Sequence, residues 1–327
     1  MSKKTAEPNS CRLNRVGGQA VLEGVMMKAG NRTVTTCRKD DGSLVVDDGH
    51  FESVRKKVKI LGLPIIRGVV NFIEMMALSV KTLNVSADAL GLEEEEGKAE
   101  KWMRKHLGIG ITDVIMAIGV ILGLGLAVFL FMFLPTLVAD GVNWLYMTLF
   151  SAPAIHPTVI AVIEGVLKVA IFLTYLALVS LMPDIKRTFM YHGAEHKSIA
   201  CFEAGDELTP ENAMKHRRFH PRCGTSFMFL MIALGIVAGM FVRNIFPGLV
   251  AWQYALIKLA ILPLVMGIGY EILMLAGKHD NFLTRAISAP GLWVQRITTK
   301  EPDDKQIEVA IAAMLPCIPE NREEEKW

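Results

Sequence analysis

Charge is scarce in this chain of 327 residues: Asp, Glu, Lys and Arg make up 21% of it, and the net charge is only +2. So even a balance offers no electrostatic footprint for nucleic acid, which is excluded as a partner. Cysteine is scarce as well. Cys11, Cys37, Cys201, Cys223 and Cys317 are odd in number, form no C-x-x-C pair and all fall in segments expected in the cytoplasm, where thiols stay reduced, so no disulfide framework is expected. An early apolar run is also lacking. The first fifteen residues are polar and basic, so no secretory signal peptide is expected.

What the chain has is apolar residues, 52% of the total, gathered into blocks. A membrane span needs about 20 largely apolar residues, because the hydrocarbon layer is roughly 30 Å thick. Val114–Leu134 carries no charged side chain and clears that length. Val159–Met182 and Ala251–Ala276 are as long and carry a few charges, while Ser226–Val242 is shorter and must cross with little tilt. Four spans are expected.

Orientation follows from Lys and Arg. The connection Pro135–Pro157 holds none, and the one after span three holds only Arg243, at its edge. Asp184–Thr225 holds seven: Lys186, Arg187, Lys197, Lys215, Arg217, Arg218 and Arg222. The positive-inside bias then puts both termini and the central loop in the cytoplasm, with the chain in the inner membrane.

Outside the spans, several local signals stand out. Val34, Cys37 and Leu44–Val46 flank the turn Asp40-Asp41-Gly42-Ser43, a hairpin pattern, and Ala20–Met27 reads as another strand of the same small sheet. Leu61–Leu90 reads as a helix with Arg67, Glu74, Lys81 and Asp88 recurring every seven residues and Asn71 near the same line. So much charge is costly in lipid, so this helix is placed along the membrane or against the cytoplasmic domain, its charged stripe solvated. Asp303-Asp304 begins a short helix through Met314 that gathers Ile307, Ala310, Ile311 and Met314 on one face. Residues 1–14, Glu93–Lys105 and Glu323–Lys326 read as tail, linker and tail. Gly119/Gly123 and Gly235/Gly239 have the G-x-x-x-G spacing that permits close helix contact. Glu164 and Lys168, one turn apart at mid-depth of span two, are expected to pair.

The expected fold is therefore an α-helical membrane protein: four transmembrane helices with a small α+β cytoplasmic domain built from N-terminal, central-loop and C-terminal segments. Its parts are a β-rich segment (1–60), an interfacial helix and charged linker (61–105), spans one and two (106–183), a His-rich loop (184–225), spans three and four (226–277) and a C-terminal segment (278–327).

The most specific local sequence is Tyr191-His192-Gly193-Ala194-Glu195-His196-Lys197, within a helix Asp184–Ala204 closed by Gly205. His192 and His196 lie one turn apart on one face, spaced to hold one metal ion, with Glu195 beside them as the candidate catalytic base. This is the H-x-x-E-H pattern. Imidazoles with a carboxylate fit a divalent metal, zinc first. The same loop offers a second short helix from Thr209-Pro210, then His216 and His220-Pro221-Arg222-Cys223-Gly224. His220 or Cys223 can return to the histidine pair, and Glu271 is a further candidate. One added ligand leaves a site open to substrate; both close it.

Longer blocks point to a family. Gly17-Gly18-Gln19-Ala20-Val21-Leu22-Glu23-Gly24-Val25-Met26-Met27, Asp184–Arg187 with Tyr191–Lys197, His220–Phe227 and Gln295–Ala310 resemble, in order, the signatures of the YqhQ family of bacterial membrane proteins. The resemblance implies metal-dependent chemistry, assigned within that family on motif grounds and without an established reaction. It points at His192, Glu195 and His196. The expected function is a metal-dependent hydrolase acting at the cytoplasmic membrane face. The alternative is a non-enzymatic scaffold or assembly protein whose histidine loop is structural or binds a partner. A transporter comes third, since four spans and one ion pair make a thin pathway unless the chain forms a homo-oligomer. The lipid bilayer is the one partner expected in every case.

Overall fold

The structure, a computed structural model, describes residues 16–91, 111–220, 223–276 and 282–318. The expected tails 1–14 and Glu323–Lys326 and the linker Glu93–Lys105 lie outside the described residues. The chain divides into two compact units. One comprises Met1–Leu92, Leu176–Phe227 and Glu271–Trp327; the other comprises Glu93–Tyr175 and Met228–Tyr270.

The first unit is the α+β domain drawn from three segments. Strands β1 (Gly17–Val21), β2 (Gly24–Ala29), β3 (Arg32–Arg38) and β4 (Leu44–His50) form an antiparallel meander in chain order. The sequence read Ala20–Met27 as one strand. It is instead a hairpin, because Leu22-Glu23 turns the chain and Glu23 takes a left-handed φ of 49°. β2 and β3 bury successive residues, which marks a sheet covered on both faces. Helix α1 (Ile66–Ala89) covers one face. Alternation along β1 then separates the partners: Gln19 bonds Ser79 and Thr82 of α1, while Gly18 faces Glu195 on the other side.

That other face carries α5 (Pro183–Ala204) and α10 (Asp304–Met314). Val25, Met27, Val34, Tyr191, Ile307 and Met314 form its core. α10 begins as its sequence predicts. Asp303 accepts from Gln306 N at 2.8 Å and Gln306 Oε1 accepts from Asp303 N at 3.1 Å, a reciprocal capping box. Gly205 closes α5 at φ 78°, and Thr209 caps the short α6 (Pro210–Lys215). α9 (Phe282–Thr298), not read from the sequence as a helix, leads into α10.

Helix α1 departs from its expected solvated stripe. Glu74 is buried, accepting from Ser53 Oγ and from Val54 N at 2.7 Å, and Arg67 is paired with Glu271; Lys81 and Asp88 are exposed as expected. The polar face turns inward because its partners are the polar backbone and hydroxyls of the first unit. Ile73, Met76, Val80 and Leu83 consequently face outward.

The second unit is helical. α2 (Ile111–Val128), a π turn (Phe129–Phe133) and α3 (Leu134–Phe150) run on without a break. α4 (Pro157–Val179), α7 (Gly224–Ile245) and α8 (Ala251–Ala276) follow in the chain, each with an end in the first unit. Four helices are long and apolar enough to cross a membrane: Ile118–Phe150, Pro157–Val179, Phe227–Ile245 and Ala251–Leu275. The fold class is thus an α-helical membrane protein with a small α+β domain.

Two details of this unit correct the sequence reading. The expected loop Pro135–Pro157 is mostly helix, because the π turn breaks the hydrogen-bond ladder where Pro135 has no N–H, and Thr136 Oγ1 donates to Met132 O at 2.8 Å. Among the described residues, a Cβ on Gly119, Gly123 or Gly235 would meet nothing within 4 Å, and one on Gly239 only Lys258 Cε at 3.9 Å. The close approach is at Gly165, where it would meet the Ile236 side chain at 2.8 Å.

Candidate metal centre

α5 presents His192 and His196 one turn apart, and their rings lie 4.4 Å apart between centroids. What fixes the rings is backbone from two other segments. Gly193 sits between the histidines, and a Cβ there would fall 2.0 Å from Lys300 O. Its absence lets the segment after α9 run against α5, where Lys300 N donates to Phe189 O at 2.8 Å. Thr298 O then accepts from His192 Nδ1 at 2.8 Å. His196 Nδ1 donates to Arg218 O at 2.6 Å. A carbonyl can only accept, so both rings carry their proton on Nδ1 and turn a lone pair outward on Nε2. This is how metal-ligating histidines are commonly oriented.

Cys223, directly before α7, completes a triplet. Its Sγ is 3.3 Å from His192 Nε2, and Thr225 Oγ1 donates to it at 3.4 Å. The ligating atoms of His192, His196 and Cys223 all lie within 4.8 Å of one another. Around a tetrahedral zinc, with Zn–N near 2.0 Å and Zn–S near 2.3 Å, ligand atoms stand roughly 3.3–3.6 Å apart. The donors therefore fit a zinc ion after a small inward movement. Burial holds the His196 imidazole below its usual range, and burial does the same to His220. Both are neutral at pH 7, the form that binds metal.

His220 stands next to this triplet, its ring 5.6 Å from that of His196, with Nε2 3.5 Å from Glu203 Oε2. Its position depends on Gln295, a fully buried amide that accepts from His220 N and donates to His220 O, each at 2.8 Å. Glu195 is 4% exposed. Burial raises its carboxyl, while His192, His220 and the Gly18 N–H act in the opposite sense. Its Oε2 has no hydrogen-bond partner among the described residues.

Lys197, the last residue of the motif, has a mechanical role. Its ammonium donates to Met214 O and His216 O at 3.0 Å and pairs with Glu301. Glu301 also takes Arg218 at 2.7 Å, tying the loop that carries the His196 partner to the C-terminal segment.

Two sequence candidates lie elsewhere. Glu271 is held by Arg67 and by Ile65 N, engaged with the start of α1 and not with the histidines. Glu164 and Lys168 belong to the second unit. There the ion pairs of Glu164, among the described residues, are with Lys258 and with Arg243 at 3.3 Å, not with Lys168. Cations from two other helices reach one carboxylate oxygen each. Arg243, read from sequence as an edge charge, is buried, pairs with Asp140 at 2.8 Å and lies over the Tyr254 ring.

The profile of the family described as "Protein of unknown function (DUF1385)" matches residues 63–320. The "Uncharacterized protein YqhQ" of Bacillus subtilis (strain 168) is 38% identical over 301 residues, covering 90% of this chain and 89% of that protein. The chain belongs to the DUF1385 family. The resemblance read from the motifs is thereby shown, and no solved structure matches. The DUF1385 match takes in α5, Cys223, Gln295 and Thr298, hence the whole triplet and the groups that orient it. It begins after the sheet, so the Gly17–Met27 block lies outside it. That block has a structural task. Gly18 admits the Glu195 carboxyl at a distance where a Cβ would stand 3.2 Å from Cδ, and Glu23 pairs with Arg187 and accepts from Tyr191 Oη at 3.2 Å. Sequence reasoning missed Gln295, Thr298 and Lys300 as parts of the site. The signal available was their place in the block Gln295–Ala310.

Proposed function

We propose that this protein is a metal-dependent hydrolase of the bacterial inner membrane, with its termini and its metal centre on the cytoplasmic side. The observation that carries this reading is the triplet His192, His196 and Cys223, gathered within 4.8 Å with each imidazole Nδ1 already bound to a backbone carbonyl. A bound divalent ion, zinc by the chemistry of the donors, would supply Lewis acidity toward a carbonyl or phosphoryl oxygen. Three protein ligands leave one tetrahedral position for substrate. Glu195 serves as general base. Its free Oε2 accepts the proton, and burial brings its carboxyl nearer to neutrality, where a base works best. His220 stands beside the triplet, its ring 5.6 Å from that of His196, without being one of the three ligands. The substrate is membrane-associated: Cys223 stands a few residues before the span Phe227–Ile245.

The seven Lys and Arg of Asp184–Thr225, against none in Pro135–Pro157, support the orientation. A second reading has its own observation. His192 Nε2 at 3.3 Å from Cys223 Sγ, with Nδ1 on Thr298 O, is also a base poised beside a thiol nucleophile.

Metal content separates the two. Full-length protein in detergent should carry close to one equivalent of zinc, iron or manganese by elemental mass spectrometry. His192→Ala/His196→Ala should carry none. Glu195→Gln should retain the metal yet lose at least about a hundredfold in hydrolysis of bis-p-nitrophenyl phosphate or p-nitrophenyl esters, the scale of a lost general base. No bound metal after incubation with these ions at neutral pH would sink the metalloenzyme. Inactivation of metal-free protein by iodoacetamide at Cys223 would then favour the thiol reading. Absence of both metal and hydrolysis would favour a scaffold.

A further inference from the structure

Away from the histidines, the first unit contains a cavity of about 360 Å³ between the β2–β3 turn, the segment after β4 and the first turns of α1. Small-ligand sites commonly measure about 300–1,000 Å³. Four cations line it, Lys28, Arg55, Lys56 and Arg67, and among the described residues no carboxylate does. Two carboxylates reach them from outside the wall. Glu74 stands 3.9 Å from Arg55 Nε, and Glu271 takes Arg67. Lys28 and Lys56 are left with neutral partners: Lys28 Nζ donates to Gly30 O at 2.7 Å and lies 5.3 Å from the Phe51 ring, and Lys56 Nζ donates to Asn31 Oδ1 at 3.1 Å. Lys28 is also partly buried. Burial first, then Arg55, hold its ammonium below the usual lysine range, against the opposing pull of Glu74. A bound anion would favour its charged form.

The surroundings select the kind of anion. Leu63, Ile65 and Ile66 fall between the lining residues Gly62 and Arg67, and all three are exposed. The apolar run continues along α1 through Ile73, Met76, Val80 and Leu83, because the polar face of that helix is spent on Gln19, Ser53 and Val54. A basic cleft edged by an outward apolar helix face matches an amphiphile with an anionic head. We infer that this cavity binds the phosphate headgroup of an anionic membrane lipid, with the outward face of α1 lying among the acyl chains. Lys28 and Lys56 supply the charge-assisted hydrogen bonds, and Arg55 adds a planar donor.

The test is retention of dioleoyl phosphatidic acid against dioleoyl phosphatidylcholine by the full-length protein in an uncharged detergent, read by native mass spectrometry. Phosphatidic acid should be retained at least tenfold better. Lys28→Gln/Lys56→Gln should remove that preference, and Lys56→Gln alone, at an exposed position, should reduce it several-fold in a fully folded protein. Lys57→Gln, which loses the same charge next to the cavity without lining it, should leave the preference unchanged. Equal retention of both lipids, or equal losses in Lys56→Gln and Lys57→Gln, would overturn the site. Displacement of phosphatidic acid by an equimolar amount of sn-glycerol 3-phosphate would overturn the lipid assignment, making the ligand a soluble phosphate ester.

Discussion

Gly193 separates two imidazoles whose orientation depends on a neighbouring backbone, and it has no room for a side chain. A Cβ would lie 2.0 Å from Lys300 O, an atom of main chain that cannot rotate away. Gly193→Ala should therefore push the segment 298–302 off α5 and cost about 3 kcal/mol, at the upper end for overpacking. In a chain of this size that lowers the unfolding midpoint by several degrees, measurable by differential scanning fluorimetry in detergent. The same variant should bind metal more weakly, since Thr298 O leaves His192 Nδ1. An Ala variant with unchanged midpoint and metal content would show that the close approach is not needed. Gly18 illustrates a related point on the sheet side, where a missing Cβ admits the Glu195 carboxyl. Both glycines were visible in the motifs. Their reasons were not, because Gly193 meets the distant Lys300 carbonyl, and Gly18 meets the Met26 carbonyl across the β1–β2 hairpin as well as the distant Glu195.

Among elements, legibility depended on how local the signals are. α10 could be read because its start, its apolar face and its stop lie within fourteen residues, from Asp303 to Pro316. Cap, periodicity and breaker act between neighbours. Span two was legible as a span for the same reason, and its ion pair was not. Glu164 finds Lys258 on α8 and Arg243 on α7. In an apolar interior a carboxylate is stabilised by whichever cations the helix packing brings to its two oxygens, and the chain neighbour has no priority. The expected consequence is asymmetric. Lys258→Met should cost about 3–5 kcal/mol by leaving Glu164 short of a partner, along with Thr136, whose Oγ1 accepts from Lys258 Nζ at 3.0 Å, and Lys168→Met under about 1 kcal/mol. Unfolding in detergent monitored by tryptophan fluorescence measures both. Equal losses would restore the intrahelical pair. Helix α1 teaches a similar lesson, since a stripe of charge every seven residues named a polar face without saying whether water or protein would meet it.

At the scale of the molecule, the proposed orientation makes a prediction for fusions. A fluorescent protein after Trp327 or within Gly205–Glu207 should glow, and alkaline phosphatase placed in Ser151–His156 should be active; the reverse pattern would invert the protein. That arrangement rests on the uneven distribution of Lys and Arg, which belongs to the sequence alone. So do the apolar blocks, the helix caps, the metal-ligand spacing of His192 and His196 and the family membership, because each is set by composition or by residues within a few turns of one another. Tertiary structure decided the rest. It chose Cys223 over Glu271 to stand with the histidines, gave Glu164 its partners, ran helix through Pro135 and turned the polar face of α1 inward. In each case several partners of suitable chemistry were available along the chain. Only the packing of three distant segments into one domain, and of helices against one another, determined which came within bonding distance.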